Sequence, residues 1–484
     1  MPLIDARRLR RPRLLVLLLL ALLGLIAVTH RRSENWTETE ISIASQIEEA
    51  EYRHSSLGWC DVAPDLCAEF GEIELRKVMN YEGSGHGLAR FLAKARQGQG
   101  FTVGALGGSV SIGHGLKRGM RYEQSAYSEL NMHRIVFDYL DKLFPAKNGR
   151  QIGGDNTKRG ANRFVNGAVP AIGSDYFAMC FGHHIPEDVD LVLVDMAIND
   201  GFSEKGAESY ETLLRHLLAL PNRPAVINLQ VFALMFQTIA TGGDIHQGIS
   251  SYYDVPTVSL RNLLLPIILQ NSSYGISYFD HPPGTTELDR EGLGTRHISA
   301  KGHGLIGRLT NAFIDMRIRD LVTGLYGAEL ESRLVPETPR EQIRALQRFN
   351  TYEAIPAIPP KCLSAHSRSP TLIPSTNKGW FKYLIADQPG SIVSFDFVTA
   401  GGLVQLSVYR SHNAGLGTAA CWVDDMKDKR VIIEARWDDL VSIGYTVTIA
   451  NDLEDGDHVL TCDLLEETKD PQKKHEFRII AVIR

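Results

Sequence analysis

The chain has 484 residues, 44% hydrophobic and 22% charged, with a formal net charge of -6. This is ordinary globular material, long enough for two or more cores, and it excludes a disordered or collagen-like polymer. The mild charge and the lack of any basic stripe interleaved with aromatics exclude nucleic acid as the expected partner.

The N-terminus departs from this average. Arg7, Arg8, Arg10, Arg11 and Arg13 precede the apolar run Leu14 to Val28, and Arg31 and Arg32 follow it. Such asymmetry holds the basic end in the cytosol and sends the rest across the membrane. Residues 1–32 are therefore expected to be a cytosolic basic segment and signal-anchor helix, making a single-pass type II membrane protein of the Golgi or cell surface; the alternative is secretion after signal cleavage. The run is shorter than the ~20 residues of an average span, which suits a thin early-secretory membrane. Asn35-Trp36-Thr37 and Asn271-Ser272-Ser273 are glycosylation sequons, meaningful on the lumenal side.

Six cysteines in a translocated chain predict disulfides. Cys60 and Cys67 bracket a small loop, Cys421 and Cys462 fall in two strand-like stretches, and Cys180 and Cys362 either pair or stay free. With no CxxC pair, and with His183 and His184 adjacent rather than four apart, neither a metal nor a cofactor is expected.

Residues 33–97 read as a stem and N-terminal helical extension. From 98 to 325 strands alternate with helices: strand 101–106, helix 122–144, strand 163–167, strand 191–196, helix 207–220, strand 225–232, helix 258–269 and helix 300–321. This alternation predicts a three-layer α/β/α domain on a parallel, flavodoxin-like sheet. Prolines crowd 326–378, a linker. From 379 to 484 the period changes to two, which predicts an all-β sandwich and a candidate carbohydrate-binding module. Its Trp422 and Trp437, with Trp380, read as core rather than as a sugar-stacking platform.

The chemistry-bearing residues lie at strand ends. Ser109 follows the apolar strand 101–106 and a Gly-Gly turn, and Asn199 follows the apolar run 189–197, so both reach the carboxyl edge of one sheet, where open α/β folds build their sites. A serine hydroxyl needs an imidazole to take its proton, and ester attack creates an oxyanion that needs donors. His297, on a loop before the last helix, supplies the base. Gly108 or Ser109 supplies one N–H, Gly167 a second, and the Asn199 amide a third. Ser111, His114 and Lys117 read as helix-start and surface residues.

This ordered set resembles the SGNH, or GDSL-like, hydrolase superfamily. Gly107-Gly108-Ser109 matches its first block, with Gly108 where aspartate is commoner; Asn166-Gly167 resembles the second, Asn199-Asp200 the third, and His297 with Gly302-His303 the last. The segment Val165-Asn166-Gly167-Ala168-Val169-Pro170, continuing through Gly173-Ser174-Asp175-Tyr176 to Cys180, is similar to a secretory subgroup that carries a C-terminal β domain. The resemblance implies a serine esterase. Where the family has an aspartate three before the histidine, this chain has Gly294, so Asp289 is the expected orienting acid, with Glu291 and Asp280 also nearby. The lumenal setting suggests an acylated glycan or glycoprotein, most simply an O-acetylated one. The alternatives are a sugar O-acetyltransferase on the same site, or a catalytically lapsed glycan-binding scaffold.

Overall fold

The computed structural model describes residues 58–116, 121–154, 157–236, 238–281, 284–285, 295–323, 344–346, 361–367, 370–379, 381–399 and 401–484. The expected anchor, Asn35, Trp380, Asp289, Glu291 and Gly294 lie outside the described residues. Among the described residues, no helix is long and apolar enough to cross a membrane. The chain divides into two compact units, Met1–Pro64 and Asp65–Arg484. In the first, the described part is the short helix Trp59–Val62, whose entry Asp61 caps by accepting from the Gly58 N–H at 2.9 Å. All that follows belongs to the second.

In chain order its first half runs β1 (Met79–Tyr81), α1 (His86–Arg96), β2 (Thr102–Gly107), α2 (Ser109–Ile112), α3 (Met132–Leu143), β3 (Arg150–Ile152), β4 (Asn162–Asn166), α4 (Ser174–Cys180), β5 (Leu191–Asp195), α5 (Glu204–Leu218), β6 (Ala225–Gln230), α6 (Gly242–Tyr252), β7 (Thr257–Ser259), α7 (Leu260–Gln270) and α8 (Ala300–Val322). The seven strands form one sheet in the order β1-β7-β6-β5-β2-β4-β3. Pairing is parallel throughout except where β1 meets β7. The run β4-β2-β5-β6-β7 is the flavodoxin-type order, extended at each side by one short strand.

Strands β2, β4, β5 and β6 are buried along their whole length, which is why β2 and β5 read as largely apolar runs rather than alternating ones. Val192 and Val194 share a core with Phe177 of α4, Leu213 of α5 and Ile249 of α6. Strand alternation turns Leu191 and Leu193 to the other face, on which α8 packs against α1 and α3.

Two expected helices differ. The one expected over 122–144 is broken into Tyr122–Ala126 and α3, because the Asn131 side chain caps α3 by accepting from the His133 N–H at 3.0 Å and donates to the Ser111 carbonyl at 2.9 Å. The one expected from 258 begins at Leu260, since Thr257–Ser259 is a buried strand. Helix α4 was not anticipated. All but one of its residues are buried, so it shows no amphipathic period.

The second half is antiparallel: β8 (Cys362–Ser364), β9 (Thr376–Lys378), β10 (Phe381–Ala386), β11 (Ile392–Thr399), β12 (Val404–Arg410), β13 (Thr418–Val423), β14 (Val431–Glu434), β15 (Ile443–Ala450), β16 (Gly456–Leu464) and β17 (Phe477–Ile483). A six-stranded sheet, β15-β12-β17-β10-β9 with β8 on β17, faces a four-stranded sheet, β11-β16-β13-β14. They enclose a core that includes Phe397, Leu406, Leu460 and Ile479. Strand β8 lies in the stretch expected to be linker; its pairing with β17 makes it part of the sandwich. Among the described residues no cysteine is free. Cys421 joins Cys462 across β13 and β16, and Cys180 joins Cys362.

Candidate active site

Strand β2 delivers Ser109 to the carboxyl edge of the sheet, at the first position of α2. The preceding turn is glycine for a steric reason. A Cβ on Gly108 would overlap the Asn199 amide, meeting Oδ1 before Nδ2, and one on Gly107 would overlap the Ser111 hydroxyl and lie 2.7 Å from the Asp195 carbonyl oxygen. Asn199 therefore occupies the space that a side chain at 108 would need. That accounts for Gly108 at a position where the resembled family more often has aspartate.

His297 Nε2 lies 2.9 Å from Ser109 Oγ. Backbone pairing holds it there: its carbonyl accepts from the Asp280 N–H at 2.9 Å, and the Ser299 N–H donates to the Tyr278 carbonyl at 2.9 Å. Ser299 then caps α8, accepting from the Gly302 N–H. From the opposite side the loop after α2 presses in. Gly115, at φ +94°, is so close that a Cβ would stand 3.1 Å from His297 Cβ. The His114 N–H donates to the Ser109 carbonyl at 2.9 Å, and its ring meets that of His297 edge-on at 5.3 Å between centroids.

Burial, followed by the neighbouring His114 and Arg296, lowers the His297 pKa to about 3. The imidazole is thus neutral at physiological pH and, with Nδ1 protonated, offers Nε2 to the Ser109 proton. A base with a depressed pKa stays competent until the pH falls through that depressed value. In the free protein the acid limb of kcat/KM for p-nitrophenyl acetate will therefore lie well below the ordinary histidine value near 6.5. Rates measured at pH 7 and pH 5 should agree within about twofold; a limb centred near 6.5 would contradict this.

Of the expected oxyanion donors, two are brought to the serine and one is not. The Ser109 N–H, first in α2, has no acceptor inside its own helix. The Asn199 amide lies against Gly108. The Gly167 N–H, however, donates to the Ala105 carbonyl at 2.9 Å, continuing the β2–β4 ladder. This corrects the expectation for Gly167, since a donor already committed to the sheet is not available to an oxyanion. Its neighbour Asn166 is likewise structural: Nδ2 donates to the carbonyls of Ser111 and Ala126, each at 3.0 Å.

His303 belongs to the scaffold. Fully buried, it accepts from the Met132 N–H at 3.3 Å, and burial lowers its pKa to about 4. Ser111 lies in the first turn of α2 and is buried, and His114, expected at the surface, packs against His297. Ser111 Oγ donates to Asp195 Oδ2 at 3.0 Å, and burial pushes the Asp195 carboxyl up to about 7. Neither residue carries a sequence signal beyond the glycine-rich run around it. Among the described residues, no cluster of histidine, cysteine and carboxylates is arranged to hold a metal.

The flavodoxin-type sheet thus carries a serine after its first parallel strand and a histidine before its last long helix. No protein-family model matches the chain, and no curated protein sequence matches it. Solved structures do. A two-domain esterase (CEX) active on acetylated mannans, solved with and without mannopentaose, is 16% identical, with 84% of this chain and 97% of that chain covered and a TM-score of 0.58. A protein assigned to the G-D-S-L lipolytic family from Desulfitobacterium hafniense DCB-2 is 11% identical, covering 44% of this chain and 98% of its own, with a TM-score of 0.27. The chain thus shares the fold of the two-domain esterase, an α/β domain followed by a C-terminal β domain.

Proposed function

We propose that the protein is a serine esterase that removes acyl groups, most simply acetyl, from a glycan in the secretory pathway. The observation that carries this reading is the 2.9 Å approach of a neutral His297 to Ser109 at the carboxyl edge of the sheet. Ser109 Oγ attacks the ester carbonyl while His297 Nε2 takes its proton. The Ser109 N–H and the Asn199 amide receive the developing oxyanion. His297 returns the proton to the departing sugar oxygen, leaving an acyl-Ser109. Water, deprotonated by the same imidazole, then attacks the acyl carbonyl; the bond to Ser109 Oγ breaks, His297 gives the proton back to that oxygen, and the carboxylic acid leaves. Asp289 is the acid proposed to orient His297; the Asp280 N–H donates to the His297 carbonyl.

Three features support the substrate and compartment. The structural neighbour with the same two-part fold acts on acetylated mannans. The Cys180–Cys362 disulfide joins α4 to β8, which fits an oxidising compartment, and an exposed Asn271 in its sequon fits a lumenal one. The test is acetate release from O-acetylated mannan by the full chain beside its Ser109→Ala variant. Serine-dependent release is expected. Release equal in both would overturn the reading, and acetyl transfer to an added sugar without free acetate would make the protein a transferase.

A further inference from the structure

The Asn199 amide is useful only if it stays against Gly108, since displacement of about 1 Å can cost a hundredfold in rate. Its own turn is short: the N–H groups of Asn199 and Asp200 both donate to the Met196 carbonyl, at 3.1 and 3.0 Å. The rest of the restraint comes from Asp200. This buried carboxylate accepts from the Ser174 N–H at 2.7 Å and from the Ser174 hydroxyl, and faces His246 Nε2 at 2.8 Å. The asparagine loop is thereby fastened to the segment 171–176.

That segment is in turn held by the β-sandwich. The Gly444 N–H donates to the Ala171 carbonyl at 2.8 Å, and Ile172 fills the space left by the missing side chain of Gly444. Asp175 Oδ2 accepts from the Thr446 N–H at 2.8 Å, and the Thr446 carbonyl accepts from Lys205 Nζ at 2.5 Å. Thr446 can make both bonds because β15 is an edge strand, with backbone groups that no further strand uses. Lys205 also lies over the Tyr445 ring, 4.8 Å from its centroid.

We propose that the β-sandwich is a working part of the reactive centre, with Asp175 and Asp200 as positioning residues that carry its restraint to Asn199. The kinetic consequence rests on the esterase reading; the mechanical coupling does not. In the full chain, Asp175→Ala lowers kcat for p-nitrophenyl acetate, a substrate too small to need the sandwich, roughly tenfold with KM within about twofold. Asp175→Asn, which keeps an acceptor oxygen, restores most of the rate. Because Asp175 acts through Asn199, Asp175→Ala costs nothing further in an Asn199→Ala background. Lys205→Met, a change at an exposed side chain, gives a smaller loss with the same dependence on Asn199 and serves if Asp175→Ala fails to fold. Equal losses in both backgrounds, or none, would overturn the proposal.

Amide hydrogen exchange provides the arm that needs no turnover. Peptides spanning 196–204 exchange faster in the Asp175→Ala and Lys205→Met variants than in Lys427→Ala, a control on the four-stranded side of the sandwich. Unchanged exchange there refutes the coupling. A chain without esterase activity refutes the proposed function, while exchange still decides the coupling.

Discussion

Ser109→Ala should lower kcat for ester hydrolysis by at least about 10⁴-fold with little change in thermal stability. The side chain is only half-buried and its Oγ has one contact of consequence, the 2.9 Å approach of His297 Nε2, so removing the hydroxyl leaves no cavity and no broken core. His297→Ala should cost as much, because an unactivated serine and an absent one are nearly equivalent. The double variant should then be no slower than either single one, the signature of two groups acting in one step. Steady-state rates on p-nitrophenyl acetate decide this. Two independent, multiplying losses, or a Ser109→Ala variant as fast as the parent, would remove Ser109 from the role of nucleophile.

Asn199→Ala should lower kcat by about 10²- to 10³-fold, or roughly 2.7 to 4 kcal/mol of transition-state stabilisation, with KM nearly unchanged. An amide aimed at charge that exists only in the transition state contributes little to substrate binding. Gly108→Ala offers an independent route to the same state. Its new Cβ would overlap the Asn199 amide and displace it. The two substitutions should cost similar amounts, and their combination little more than one alone. If Gly108→Ala is silent while Asn199→Ala is severe, the amide works from some other position than the one described.

Much of this site could be read from strand ends. Ser109 and Asn199 each follow a run of apolar residues long enough to be a buried parallel strand, and side chains at such ends collect at one sheet edge. His297 could be placed because a Ser-x-x-Gly start of a long apolar-faced helix follows it directly. Much of the β-sandwich was likewise visible as alternation with period two, though β8, within the expected linker, was not. The roles of Gly167 and His114 were not. Whether a backbone N–H is free depends on which strand lies alongside, and Gly167 lost its N–H to Ala105, about sixty residues away in sequence. His114 looked like a surface residue because nothing local says that the loop at Gly115 is pressed against Ile298 and His297.

The sequence by itself determined the α/β class of the first domain, the antiparallel class of the second and the candidate pair Ser109 and His297, since each depends on local periodicity and on residue chemistry at element ends. Tertiary structure alone decided which donors remain available, that Cys180 pairs with Cys362, and that the 171–176 segment ties the asparagine loop to β15. Those outcomes rest on contacts between residues far apart in the chain, where burial and hydrogen-bond partners are set by packing and leave no periodic trace.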